Sequence, residues 1–160
     1  RLLAQVRSLS LDLRPPLLDD LGLVAALHWL LQQHQDRAST PRVHLSADPS
    51  LGRLDPTLET ACFRIAQEAL TNALRHASAK NINLSVALSN GKLYLGVRDD
   101  GAGFDATSAR NRAERGGSLG LLGMHERALL AGGSLTLTSA PARGTELEAI
   151  FPLSNPPETH

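Results

Sequence analysis

Apolar positions recur along this chain with two different periods. Leu2, Leu3, Val6, Leu9 and Leu13 fall at helical spacing in RLLAQVRSLSLDL. The pattern stops at Arg14-Pro15-Pro16, because proline disfavours helix in the residue before it and brings no N–H of its own. Leu18, Leu21, Leu23, Leu27, Leu30 and Leu31 resume helical spacing, which predicts a helix over 17–36 with Asp19 and Asp20 in its first turn. Val43–Ala47 alternates and predicts a strand, followed by a turn at Asp48-Pro49 and Gly52. The longest helical stretch is 56–77, opened by Pro56. Two alternating runs, 81–89 and 92–99, meet at Ser89-Asn90-Gly91, a strong hairpin signal. Residues 100–119 are Gly-rich and polar, long for a loop and therefore a candidate for function. A helix at about 121–131 ends on Gly132-Gly133. Leu135–Thr138 and Glu146–Phe151 predict the last two strands, before a polar, Pro-rich tail. The order predicts an α/β two-layer sandwich: a mixed, mostly antiparallel sheet with helices on one face, preceded by a helical arm.

Composition narrows the picture. A chain of 160 residues with 42% apolar content suits one domain with a real core. Only 3% is aromatic, so Leu, Ala, Val and Ile must build that core. Sixteen basic residues balance sixteen acidic ones, and no dense basic run occurs, which argues against a nucleic-acid binder. Cys62, the single cysteine, excludes an intrachain disulfide and a cysteine metal cluster, and its apolar setting makes it a core residue. No apolar run reaches about 18 residues, so no membrane contact is expected from this sequence, and it carries no signal peptide. A cytoplasmic setting is the expectation, whether or not a full-length protein is membrane-anchored. The first residue is Arg1 rather than Met, which reads as part of a longer chain.

Four segments carry chemistry. On the long helix, Glu68, Asn72 and Arg75 share about one third of the circumference, opposite Ile65, Ala66, Ala69, Leu70 and Ala73, with His76 at the border. A carboxylate, an amide oxygen and cations in one column could hold a hard metal ion and the phosphates it bridges, since Mg²⁺ needs few protein oxygens. Taken alone, those residues read first as a solvated amphipathic face. Next, Val97-Arg98-Asp99-Asp100-Gly101-Ala102-Gly103-Phe104 runs a strand into Asp-x-Gly-x-Gly. An ionised carboxylate at a strand end accepts hydrogen bonds, for instance from the adenine 6-amino group, and glycines allow close backbone approach; a plain turn is the alternative. Third, Gly116-Gly117-Ser118-Leu119-Gly120-Leu121-Leu122-Gly123-Met124 leads glycines into a helix start, where free N–H groups favour phosphate. It is neither a Walker A loop nor a dinucleotide fingerprint. Fourth, Arg143-Gly144-Thr145 links the last two strands and alone is a hairpin turn.

The order of the four segments is more specific than any one of them. Over residues 40–153 it resembles the ATPase fold shared by histidine kinases, Hsp90-type chaperones, DNA gyrase and MutL. The resemblance implies that Asn72 is a Mg²⁺ ligand and that Glu68 is the catalytic residue polarising the nucleophile. It implies that Arg75 and His76 approach ATP, and that Asp99 binds the adenine amine with Gly101 and Gly103 beside it. Gly120, Leu121 and Gly123 would lie beneath the phosphates, and Thr145 would support the Asp99–adenine contact through water. The run Arg14-Pro15-Pro16-Leu17-Leu18-Asp19-Asp20-Leu21-Gly22-Leu23, with Gln67–Asn72 and Gly123-Met124-His125-Glu126-Arg127, is similar to nitrate/nitrite-sensor-type histidine kinases. Residues 1–16 would then be the end of a dimerisation helix and its linker, 17–153 the catalytic ATP-binding domain, and 154–160 a disordered tail.

The resemblance implies further partners: the protein's own dimerisation and phosphoacceptor domain, a response regulator, and a homodimeric full-length protein. None of His28, His34, His44, His76, His125 or His160 sits in the phosphoacceptor context, so this chain is expected to bind nucleotide without phosphorylating itself at the family site. His28, beside Trp29 in an apolar helix, reads as a packing residue. Residues 104–119 are shorter than the lids of many histidine kinases, and no separate Phe-rich box occurs. Two rivals are an anti-sigma-factor-type serine kinase, which should lack the arm at 1–23, and a non-catalytic nucleotide-binding regulatory module.

Overall fold

A computed structural model describes residues 15–35, 41–76, 78–105 and 119–154, with the side chains of His76 and Leu119 outside that description. The helical arm expected over 1–13, most of the 104–119 lid and the tail after 154 therefore lie outside the described residues. The elements are α1 (Pro16–Leu21), α2 (Leu23–Gln35), β1 (Arg42–Ala47), α3 (Pro56–His76), β2 (Asn81–Ser89), β3 (Lys92–Asp99), α4 (Leu119–Leu130), β4 (Ser134–Ser139) and β5 (Thr145–Pro152). The five strands form one sheet in the order β1-β2-β3-β5-β4. Only β1 and β2 run parallel, and α3 supplies the crossover that such a pair requires. The mixed, mostly antiparallel sheet is as expected.

Period-two alternation decides which face the helices cover. Val43, Ile82, Leu84, Val86, Leu93, Leu95, Val97, Leu147, Ala149 and Phe151 all point to one side and are buried. They meet Leu27, Leu30 and Leu31 of α2, Cys62, Phe63, Ile65, Ala66 and Leu70 of α3, and Met124 and Ala128 of α4 in a single cluster. His44, Asn83, Arg98 and Glu146 occupy successive register positions on the other side and are exposed. The β2–β3 turn has positive φ at both Asn90 (51°) and Gly91 (73°), the conformation that an Asn-Gly pair supplies at least cost.

Two expectations change. The helix expected over 17–36 is two helices, because Gly22 takes φ +88° and ends α1 with its N–H on the Leu18 carbonyl. A Cβ on Gly22 would lie 3.0 Å from Arg53 Cδ. The Arg53 guanidinium sits there because it caps α1, donating to the Leu18 carbonyl (2.9 Å) and the Asp19 carbonyl (3.1 Å). The same guanidinium reaches both carboxylate oxygens of the fully buried Glu59 at 3.2 Å, so α1 is tied to the first turn of α3. His28 is exposed, so it does not pack as expected, and Trp29 beside it is 45% exposed. The buried stripe of α2 is Leu23, Ala26, Leu27, Leu30 and Leu31, which turns positions 28 and 29 outward.

Candidate functional site

The end of β3 is held from three directions. Asp99 is the last residue of β3, in register with Ile82 on one side and Thr145 on the other, so its side chain shares the helix-covered face. It is 7% exposed, and its Oδ1 accepts the Gly101 N–H at 2.9 Å. The next residue does a different job. Asp100 accepts the N–H groups of Lys80 and Asn81 (2.8 and 2.9 Å) and the Asn81 side-chain amide (2.9 Å), pinning the start of the loop to the start of β2. Those bonds, Asn81's first, hold its carboxyl below the ordinary carboxylate range.

The β4–β5 turn closes on the same loop. A Cβ on Gly103 (φ +66°) would lie 2.1 Å from the Ala140 carbonyl oxygen, and one on Gly144 (φ +71°) would lie 2.2 Å from the Asp99 carbonyl oxygen. Only glycine fits either place. Ala142 N–H meets the Ala102 carbonyl, and Ser139 completes the contact. Its Oγ accepts the Phe104 N–H at 2.9 Å, donates to the Gly144 carbonyl at 2.9 Å and lies 2.9 Å from Thr145 Oγ1. A hydroxyl has one proton, so with Ser139's given to Gly144, Thr145 is the donor to Ser139. That leaves Thr145, in register with Asp99, with its oxygen lone pairs as acceptors.

The second wall is α3. Ile65, Ala66, Ala69, Leu70 and Ala73 are buried as the helical period requires, while Glu68 and Asn72 are half-buried and Arg75 is exposed. Among the described residues, no hydrogen bond engages the side chains of Glu68, Asn72 or Arg75. His76 is the last residue of α3. The expected helix at 121–131 begins earlier, at Leu119, so Gly120 and Gly123 lie within α4. Leu121, 7% exposed, packs into the core rather than beside the glycines. Among the described residues no cluster of three or more His, Cys, Asp or Glu is arranged to hold a metal by protein ligands alone. Cys62 is buried, and burial pushes its thiol up to about 12, with the Glu59 charge pushing the same way.

A groove of ≈ 560 Å³ lined by His44, Asn83, Arg98 and Arg143 also reaches Asp99 and Asp100, but from the exposed face of the sheet. None of the α3 residues borders it, so it is not where the four sequence segments converge.

Asp99, Gly103 and Thr145 are thus brought together by β3, β5 and their loops, and Glu68 is brought to Gly120. Ser139, Asp100 and the Arg53–Glu59 pair were not read from the sequence as parts of this framework. The closing Gly144-Thr145 pair was the one signal that pointed toward Ser139.

A two-layer sandwich with a strand-end aspartate, a glycine loop behind it and a facing long helix defines a class of ATPase domain. Residues 57–155 match the family of histidine kinase-, DNA gyrase B- and HSP90-like ATPases, and the chain belongs to it. It is 37% identical over 155 residues to the oxygen sensor histidine kinase NreB of Staphylococcus carnosus, covering 97% of this chain and 43% of that protein. It is also 37% identical over 143 residues to the signal transduction histidine-protein kinase/phosphatase DegS of Bacillus subtilis, covering 88% and 37%. The blue-light activated histidine kinase of Erythrobacter litoralis EL346 superposes with a TM-score of 0.69 at 26% identity, covering 82% of this chain and 42% of that one. The chain spans less than half the length of these curated relatives. No helix among the described residues is long and apolar enough to cross a membrane.

Proposed function

We propose that this chain is the catalytic ATP-binding domain of a sensor histidine kinase, with residues from Leu17 onward forming that domain and those before it ending a dimerisation helix. The observation that carries the reading is the buried Asp99 carboxylate, held on Gly101 N–H and backed by Thr145 and Ser139, within a chain of the matched ATPase family. Asp99 accepts the adenine amine, and Thr145, with its proton committed to Ser139, presents an acceptor to a bridging water. Gly101 and Gly103 keep the loop low enough for the base to lie over it. Among the described residues Gly123 has open space where a Cβ would be, which leaves room for phosphates at the start of α4.

The donors on α3 fit Mg²⁺. Asn72 offers an amide oxygen with no hydrogen-bond partner among the described residues, on a half-buried face, and one or two protein oxygens suffice for an ion that keeps several waters. Held by Asn72, Mg²⁺ would supply positive charge against the ATP phosphates. Arg75 and His76 are the residues of the same helix assigned to approach the nucleotide. The acceptor is a histidine on the dimerisation domain: the lone-pair nitrogen of its imidazole attacks the γ-phosphorus as the bond to ADP breaks, and ADP leaves with that electron pair. Glu68 takes the proton from the other ring nitrogen, preventing a trapped positive charge on the phosphohistidine. A response-regulator aspartate receives the phosphoryl group afterwards, and the full-length protein acts as a homodimer.

Isothermal titration of ATP with Mg²⁺ tests the base assignment. Asp99→Asn keeps the shape and the acceptor for Gly101 N–H but removes the charge. A charge-assisted hydrogen bond contributes about 1.5–3 kcal/mol, so affinity should fall roughly 10- to 150-fold. Unchanged affinity would show that Asp99 does not hold the adenine. Glu68→Ala, in contrast, should retain binding and lose transfer.

A further inference from the structure

Gly120 and Gly123 look alike in the sequence, yet they face different surroundings. A Cβ on Gly123 would meet nothing within 4 Å. A Cβ on Gly120 would lie 2.2 Å from Glu68 Oε1, 3.1 Å from its Cδ and 3.6 Å from its Cγ. All three contacts are to the one side chain, and no backbone atom is among them. Gly120 is also in ordinary helical backbone, since it is absent from the positive-φ glycines. Backbone conformation therefore does not ask for glycine at this position, and the three atoms nearest a Cβ there belong to one side chain. What fills the space is the Glu68 carboxylate, lying along the first turn of α4, where the helix dipole favours negative charge.

We propose that Gly120 is a positioning residue for Glu68: the missing side chain is the seat that fixes where the carboxylate rests. This rests on the kinase reading above and goes beyond it, because that reading places Gly120 only beneath the phosphates. Glu68 has three rotatable side-chain bonds and no hydrogen-bond partner among the described residues, and among those residues the first turn of α4 bounds its carboxylate. Alanine at 120 pushes Oε1 away by about 1 Å to reach van der Waals distance. Because Oε1 is the far end of a flexible side chain, it yields without unfolding the protein. A displacement of that size in a reacting group costs on the order of a hundredfold in rate.

The test uses Gly120→Ala in the full-length protein, with ATP–Mg²⁺ affinity, autophosphorylation rate and thermal midpoint measured together. The midpoint should rise by about 2–4 °C, because alanine is the better helix former by close to the amount that such a shift represents. ATP–Mg²⁺ affinity is measured so that rates are compared at saturating nucleotide, because Gly120 is also placed beneath the phosphates. The rate should fall roughly 100-fold. In a Glu68→Ala background the same Gly120→Ala change should cost nothing further, since the group being positioned is gone. A merely structural role for Gly120 would not produce higher stability with a lower rate, nor vanish when Glu68 is removed.

Two results would overturn the seat while leaving the kinase reading intact: an unchanged rate at saturating ATP–Mg²⁺, or an additive loss in the double variant. A parent protein that binds ATP but never phosphorylates itself would overturn the kinase reading and the seat with it.

Discussion

Ser139→Ala should loosen the joint between the β4–β5 turn and the loop after Asp99. The hydroxyl takes part in three contacts of 2.9 Å, to Phe104 N–H, the Gly144 carbonyl and the Thr145 hydroxyl, and alanine removes all of them. An intramolecular hydrogen bond contributes about 0.5–1.5 kcal/mol net, and these are half-buried, so water repairs part of the loss. A cost of about 2 kcal/mol is the expected scale, which for a domain of this size lowers the melting temperature by roughly 4–8 °C. If all of that energy had gone into holding the loop ready for nucleotide, ATP affinity would fall by up to about 30-fold. If none had, affinity would be unchanged. Thermal unfolding and isothermal titration on the same preparation separate the two contributions. Ser139→Thr keeps the hydroxyl in a strand that tolerates a β-branched residue, and should recover most of both. Equal damage from threonine and alanine would refute the reasoning, because shape rather than the hydroxyl would then matter. So would a melting temperature that alanine leaves in place.

Other outcomes follow from the rest of the framework. Arg53→Met removes the cap on α1 and strips the buried Glu59 of its guanidinium. Arg53 is 52% exposed, so the loss is discounted from the buried-pair range to about 2 kcal/mol, with the α1 amides losing hydrogen-exchange protection before the sheet does. Cys62 should resist iodoacetamide at pH 8 in the folded protein and react once urea unfolds it, because its thiol is raised to about 12. Asp100 has a folded pKa below its unfolded value, so its contribution is present above about pH 4 and is lost as pH falls through the lower folded value. Asp100→Asn should flatten stability against pH in that acid window, as followed by circular dichroism; an unchanged acid limb would remove Asp100 as its source.

What the sequence made legible was whatever is written locally. Helical spacing on 56–76 separated the buried stripe Ile65-Ala66-Ala69-Leu70-Ala73 from the Glu68–Asn72 column without any tertiary information. The Asn90-Gly91 turn needed only two residues to announce its φ signs. What stayed hidden depends on residues far apart in the chain. Ser139 sits in an alternating strand where a serine reads as solvent-facing, and its partners Phe104, Gly144 and Thr145 arrive from two other segments. Arg53 caps carbonyls 34 and 35 residues away, so neither the break at Gly22 nor its need for glycine could be read from leucine spacing alone.

The two halves of the proposed site are built on different terms. Around Asp99 the framework is main chain against main chain: Gly103 on Ala140, Gly144 on Asp99, Ala142 on Ala102. Contacts of that kind leave no room for rotamer change, which suits a pocket that must present the same face to adenine at every turnover. On α3 the opposite holds, since Glu68, Asn72 and Arg75 make no side-chain hydrogen bonds among the described residues. Under the proposed function, groups that would meet Mg²⁺, phosphate and an incoming imidazole in succession gain by having no internal bond to break first. They lose by being unplaced. A bare Cα opposite Glu68 resolves that conflict without adding a competing partner, because it limits where the carboxylate rests while leaving both its oxygens free to accept a proton.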